Sequence, residues 1–135
     1  MDKKIPVIIP CCGIDSVYGL MTQEIALKVK EEVNKQAKML GLACLVNGET
    51  ETVQTIANTP CIVINGCSKE CATNIVDIMG GDIDIEYIID RLVAGVDTAS
   101  LGTIVRLSES GERQVCEIAS KIIADLKLAE KGGEK

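Results

Sequence analysis

Cysteine is the residue type in this chain with the clearest chemical potential. Seven cysteines and no histidine occur among the 135 residues. Without histidine the chain has no Ser–His or Cys–His catalytic pair, and a bound metal ion would need Cys, Asp, Glu or backbone ligands. The cysteines with a chemical interpretation lie where predicted strands end or predicted helices begin: Cys11, Cys12, Cys44, Cys67 and Cys71.

Cys67 and Cys71 have the most informative spacing. Four residues apart at the start of a predicted helix, they should place their Cβ atoms about 5–6 Å apart on one face. The sulfur ligands of tetrahedral zinc are about 3.8 Å apart, and side chains leaning toward a shared ion close the difference. The positive end of the helix dipole and Lys69 favour the thiolate form. The spacing therefore indicates a metal site or a redox pair.

Short apolar runs alternate with amphipathic stretches along most of the chain. The runs predict buried strands, and apolar residues at three- and four-residue steps predict helices with one buried face. The predicted strands are 5–10, 42–46, 61–65 and 83–89, and the predicted helices are 16–40, 50–58, 68–79 and a last one around 115–126. Gly41 is placed to end the first helix. Residues 90–108 predict a loop with a short helix and an edge strand at 103–107.

This alternation predicts an α/β fold. We expect a three-layer, doubly wound sheet of Rossmann-like or flavodoxin-like type, mainly parallel, with about four to five strands and helices on both faces. Residues 1–135 form a single domain in this prediction, with a frayed tail from about Lys131. Ligands of such sheets bind beyond the carboxyl ends of the strands. The fold would therefore bring cysteines from three strand–helix junctions to one pole.

Other candidate residues have simpler structural interpretations. Buried free cysteine is a common small apolar residue. Cys61 heads an apolar strand at the opposite end of the sheet, and Cys116 lies on or beside the apolar stripe of the last helix, so we expect both in the core. The acidic residues around the fourth strand are expected to form a solvated strand edge: Asp82, Asp84, Glu86 and Asp90.

Charge and composition exclude several classes of partner. The net charge of -6 and the scarcity of aromatic residues (two Tyr, no Phe, no Trp) exclude a nucleic-acid-binding surface. No stretch approaches the about 20 apolar residues of a membrane span. The basic start of the chain is followed by too short an apolar run for a signal peptide, so we expect a cytoplasmic protein. In that compartment a cysteine cluster indicates metal binding or catalysis.

Residues 61–72, CIVINGCSKECA, resemble the central motif of the DGC-domain family of small zinc-binding proteins. That motif runs Ile-Asp-Gly-Cys-x-x-x-Cys-Ala after an apolar strand, and the family also has a first strand ending in Cys-Ser-Gly and a Cys-Leu segment between. The resemblance implies a zinc site with the ligands Cys11, Cys44, Cys67 and Cys71. Cys12 stands where the family usually has Ser, which makes it a spare thiol or an alternative ligand. Asn65 replaces the Asp of the family name.

Two functions follow from these residues. The first is a small zinc-binding protein that handles metal or thiols, with a metal ion and a thiol-containing small molecule or a protein as partners. The alternative is a thiol redox or sulfur-transfer enzyme in which Cys11 or Cys12 is the nucleophile and Cys67 or Cys71 the resolving thiol. An iron–sulfur cluster is a minor alternative, since it also takes four thiolates.

Overall fold

The computed structural model describes residues 5–33 and 37–132. In this part of the chain four parallel strands form one sheet. The strands are β1 (Val7–Pro10), β2 (Lys38–Met39), β3 (Pro60–Asn65) and β4 (Asp82–Ile88), in the spatial order β2-β1-β3-β4. The predicted α/β, doubly wound architecture is confirmed.

Helices connect the strands and cover both faces of the sheet. They are α1 (Val17–Val33), α2 (Leu42–Val46), α3 (Thr50–Asn58), α4 (Cys71–Ile78), α5 (Ile89–Leu92) and α6 (Glu109–Gly132), with a short 3-10 helix at Thr98–Leu101. No helix in the described ranges has the length and apolar character needed to cross a membrane.

Two apolar clusters, one on each face of the sheet, form the core. The first cluster lies under α1 and α6 and includes Met21, Ile25, Ile62, Ile64 and Ile122. The second cluster lies under α2, α3 and α4 and includes Ile9, Leu45, Ile56, Val63 and Ala72. Alternate residues of β3 point to opposite clusters, which is why this central strand is apolar along its length.

The predicted strand at 42–46 is wrong, because this segment is the helix α2. A five-residue apolar run has no periodicity that separates a buried strand from a short helix. The second strand is instead β2, which pairs Lys38 with Val7 and Met39 with Ile8. The first predicted helix also does not reach Leu40: α1 is described to Val33, residues 34–36 lie outside the described part, and β2 follows. Gly41 therefore does not end that helix.

In residues 90–108 the predicted short helix is confirmed by the end of α5 and by the 3-10 helix at Thr98–Leu101, but the predicted edge strand is wrong. The expected edge strand at 103–107 is a single antiparallel bridge between Gly102 and Leu107, closed by a 2.8 Å hydrogen bond from Thr103 N–H to the Arg106 carbonyl. This small hairpin leads into α6. The helix continues through Lys131 to Gly132, and the rest of the predicted frayed tail lies outside the described residues.

Candidate metal centre

The strand order reverses between β1 and β3. The chain passes from β1 to the neighbouring edge strand β2, and then returns across β1 to β3 and β4. In open α/β sheets this reversal opens a crevice at the carboxyl ends of the two central strands, where ligands bind. The segments that leave β1 and β3 at this edge carry Cys11, Cys12 and Cys67.

The segment after β1 turns sharply at the two adjacent cysteines. Cys11 N–H donates a 2.9 Å hydrogen bond to the Ile64 carbonyl and so extends the pairing of β1 with β3. Cys12 has a left-handed backbone with φ of 52°, and its N–H donates to Thr22 Oγ1 at 2.9 Å. The hydroxyl of this fully buried threonine donates in turn to the Gly19 carbonyl at 2.7 Å. Thr22 therefore anchors the cysteine pair to α1.

Two glycines allow the segments of this edge to pack backbone against backbone. A Cβ atom on Gly19 would overlap the carbonyl oxygen of Gly13, which lies directly on the first turn of α1. A Cβ atom on Gly66 would lie 3.3 Å from the carbonyl carbon and the Cβ atom of Tyr18. The β1–α1 and β3–α4 junctions are therefore in direct contact.

Cys67 and Cys71 lie at the two ends of a turn between β3 and α4. Glu70 N–H donates a 3.0 Å hydrogen bond to the Cys67 carbonyl, and Glu70 has a left-handed φ of 53°. The helix begins at Cys71, not at Ser68 as predicted. Cys67 therefore precedes the helix, and the expected helical i, i+4 geometry of the pair is wrong. Cys67 is half-buried and Cys71 is exposed.

Asp90 of α5, two residues after the end of β4, fixes this turn. Its carboxylate accepts hydrogen bonds from Ser68 N–H at 3.1 Å and from Ser68 Oγ at 3.3 Å. Its own N–H donates to the Gly66 carbonyl at 3.1 Å. Asp90 is thus half-buried and hydrogen-bonded, so the predicted solvated strand edge is wrong for this residue. The prediction does fit Asp82 and Asp84, which are exposed.

Cys44 lies on α2. The helix follows β2 and packs against α4, and its buried Leu45 belongs to the second cluster together with Ala72. The Glu49 carboxylate raises the pKa of the half-buried Cys44 thiol, first through its charge and second by accepting a hydrogen bond from it. Glu49 therefore favours the protonated form of the Cys44 thiol.

The adjacent thiols Cys11 and Cys12 have different surroundings. The Cys11 side chain packs against the second cluster, on the α2 and α4 side of the sheet. Cys12 interacts with Thr22 of α1, whose neighbour Met21 is in the first cluster. Cys12 is exposed as a whole, but partial burial of its thiol raises the pKa of Cys12; the charge of Cys11 raises it further, and a hydrogen bond with the Thr22 hydroxyl lowers it.

The two remaining cysteines lie away from this edge. Cys61 is fully buried at the start of β3, where its thiol donates to the Thr59 carbonyl at 3.4 Å, and burial raises its pKa to about 11. This matches the expected core position. Cys116 is exposed on α6, so its predicted core position is wrong. It lies beside the apolar stripe, next to the buried Val115, and a one-residue step on a helix turns a side chain by about 100°.

The structure does not gather these thiols into a finished metal site. Within residues 5–33 and 37–132, no three His, Cys, Asp or Glu side chains lie close enough together to hold a metal ion. What the fold provides is a set of thiols of suitable chemistry on the segments that follow the carboxyl ends of β1, β2 and β3. By donor type they fit zinc, which takes four thiolates in closed sites.

Sequence reasoning missed the residues that hold the cysteines in place. Thr22 and Asp90 bind the two cysteine segments, and Thr73 bonds to Asn65 beside the second of them. Only Asp90 had a usable signal, since it follows β4 at the same edge of the sheet as the cysteines.

The family model described as the DGC domain matches residues 7–99. The chain belongs to the DGC-domain family. No curated protein and no solved structure matches it significantly. The DGC match includes all four strands and the cysteines from Cys11 to Cys71, and it ends before α6. In this DGC domain the name-giving motif is Asn65-Gly66-Cys67, at the β3–α4 junction.

Proposed function

We propose that this DGC-domain protein binds one zinc ion through Cys11, Cys44, Cys67 and Cys71. The observation that carries the proposal is the second cluster. It contains Leu45 and Ala72, which adjoin Cys44 and Cys71 in sequence, and Cys11 packs directly against it. Cys11 therefore borders this apolar patch directly, Cys44 and Cys71 lie one residue from it along α2 and α4, and Cys67 begins the turn that leads to Cys71.

Cys11 is a better ligand than Cys12 in this arrangement. It lies on the face of the sheet that α2 and α4 cover, whereas Cys12 is tied to Thr22 on α1. Cys12 then remains as a spare thiol next to the ion.

Binding requires an ordered set of local changes. The thiols must lose their protons, because thiolates bind zinc, and the Cys44 proton is the one held by a neighbouring carboxylate. Four thiolates leave the zinc centre with a formal charge of about -2, which N–H donors at the start of α4 would stabilise. Since the thiols are not assembled beforehand, the turn at 67–70 and α2 must close around the ion.

This arrangement favours zinc as cargo over zinc as scaffold. Both core clusters are complete without an ion, and a chain of this size can fold on its apolar core alone. Cys71 is exposed, so a thiol of a small molecule or of a protein partner would reach a metal ion bound there. We propose metal or thiol handling in the cytoplasm as the function.

Metal analysis of the anaerobically purified protein tests this function. We expect about one zinc per chain, and loss of that zinc in Cys67→Ser and in Cys71→Ser. Cys116→Ser is the matched control, because it removes an exposed thiol from α6, and it should retain the metal. A wild-type protein that neither retains nor takes up zinc would refute the proposal.

A thiol redox or sulfur-transfer enzyme is the second candidate. The exposure of both Cys12 and Cys71 favours it, since such chemistry needs accessible thiols. The raised pKa of Cys12 opposes it, because little attacking thiolate is present at neutral pH. Rapid alkylation of one cysteine in the metal-free protein at neutral pH would support this enzyme, whereas uniform labelling only after unfolding would exclude it. Iron content and colour test for a cluster.

A further inference from the structure

A chain of hydrogen bonds links β3 to α4 and then to β4. Asn65 at the end of β3 is fully buried. Its Oδ1 accepts from Thr73 N–H at 3.1 Å, and its Nδ2 donates to Thr73 Oγ1 at 2.7 Å. The Thr73 hydroxyl donates to Glu86 Oε2 on β4 at 2.7 Å. Because Thr73 is in the first turn of α4, Asn65 pairs an N–H group that has no partner within the helix.

Glu86, the last residue in this series of hydrogen bonds, determines the direction of every bond in it. A Glu86 carboxylate only accepts, so the Thr73 hydroxyl must donate its single proton to it. The Thr73 oxygen then needs a donor from the other side, and Asn65 Nδ2 supplies one. The same Nδ2 faces a second acceptor, the Tyr87 carbonyl, at 3.5 Å. An amide at position 65 satisfies all of these groups at once.

A carboxylate at position 65 would reverse these requirements. Its second oxygen would face the Tyr87 carbonyl and would compete with Glu86 for the one hydroxyl proton of Thr73. One of the two carboxylates would then face the lone pairs of Thr73 without a proton between them. The amide of Asn65 is therefore matched to the carboxylate of Glu86, although 21 residues separate them (86 minus 65).

We infer that Asn65, Thr73 and Glu86 are positioning residues that set where α4 begins, and that positions 65 and 86 can carry no more than one carboxylate between them. These hydrogen bonds lie on both sides of the turn from Cys67 to Cys71, since Asn65 is two residues before Cys67 and Thr73 is two residues after Cys71. Their effect on metal binding rests on the proposed zinc function, but their effect on α4 does not.

Four variants test this inference: Asn65→Asp, Glu86→Gln, Asn65→Asp/Glu86→Gln and Asn65→Asp/Asp84→Asn. In the Asn65→Asp/Glu86→Gln protein the bonds between side chains can reverse. The amide introduced on β4 would donate to the Thr73 hydroxyl, and that hydroxyl would donate to the carboxylate introduced on β3. Asp84 is the control, since it is an exposed carboxylate on the same strand with no bond to Thr73 in the described structure.

Two measurements are made on each protein. Amide hydrogen exchange of Thr73 in the metal-free protein reports the start of α4, and titration with Co²⁺ as a spectroscopic probe reports the thiolate site. Asn65→Asp should speed Thr73 exchange and weaken Co²⁺ binding roughly tenfold or more, as loss of a supporting contact around metal ligands does. Glu86→Gln alone should change little. Adding Glu86→Gln to Asn65→Asp should restore most of both properties, since only the contact of the new carboxylate with the Tyr87 carbonyl is left unrepaired, and adding Asp84→Asn should not.

The outcomes separate this inference from the proposed function. Equal rescue by Asp84→Asn would show a general charge effect and overturn the inference, as would unchanged Thr73 exchange in Asn65→Asp. If the wild type binds no Co²⁺ or Zn²⁺, the proposed function fails, and the pattern of Thr73 exchange alone still decides whether these residues act together.

Discussion

Replacing Thr22 by valine would release the adjacent cysteines from α1. The hydroxyl accepts the Cys12 N–H at 2.9 Å and donates to the Gly19 carbonyl at 2.7 Å from a fully buried position. Valine has nearly the same shape but can do neither. Thr22→Ser is the matched control, because it keeps the hydroxyl and loses only a methyl group.

The cost of Thr22→Val comes mainly from Cys12. An N–H group left without a partner in the interior costs about 1–3 kcal/mol. The exposed Cys12 side chain brings water close to this N–H, so we expect about 1–2 kcal/mol. The Gly19 carbonyl keeps its bond within the helix. For a chain of this length the change corresponds to a loss of roughly 3–8 °C in the melting temperature.

Thiol reactivity separates the two variants more sharply than stability, since the lost methyl of Thr22→Ser also costs about 1 kcal/mol. The Thr22 hydroxyl lowers the pKa of Cys12, so its removal should move the pH midpoint of Cys12 alkylation upward in Thr22→Val and leave it in place in Thr22→Ser. Peptide mapping after timed iodoacetamide labelling measures this. If both variants share one midpoint and Thr22→Val melts like the wild type, the assigned anchoring role of Thr22 is wrong.

Two further predictions concern packing and pH. In a urea titration, Gly19→Ala should lower the free energy of unfolding by about 3 kcal/mol or more, because its methyl group would overlap the Gly13 carbonyl. Gly41→Ala is the control, since a Cβ atom there meets nothing within 4 Å. Its free energy of unfolding should stay within about 1 kcal/mol of the wild type. Burial, and then the Asp125 carboxylate that accepts its hydroxyl at 3.0 Å, raise the pKa of Tyr87 above its usual value near 10. The hydroxyl of Tyr87 therefore contributes its full stabilisation below pH 10, and this contribution is lost as the pH rises further. We expect the difference in free energy of unfolding between wild type and Tyr87→Phe to shrink above pH 10, by at most about 1.4 kcal/mol per pH unit. A difference that stays constant up to pH 11 would contradict this assignment.

The amino-acid pattern predicts the longer elements of this fold well. The run at 61–65 is apolar and β-branched through most of its length and becomes the central strand β3, and the three- and four-residue apolar period around 115–126 becomes part of α6. These elements are long enough for their period to be read. The same apolar run predicts that Cys61 lies near the start of a buried strand, and in the structure Cys61 is buried there.

Short elements and edge strands cannot be predicted from the periodicity of apolar residues. The second strand has only two paired residues, Lys38 and Met39, so no alternation exists to be read. The run at 42–46 is equally apolar whether it forms a strand or the helix α2. Cys44 therefore lies on a helix, not near the end of a strand.

Residue types and their order along the chain determined the class of chemistry: thiols without histidine, placed at strand–helix junctions and matched by the DGC domain. The tertiary structure alone decided which way each thiol points and what supports it. Cys12 turns to α1 because of Thr22, ten residues away, and the amide of Asn65 is matched to Glu86 on another strand. Such partners meet only after the crossovers have brought distant segments together, so no local pattern encodes them.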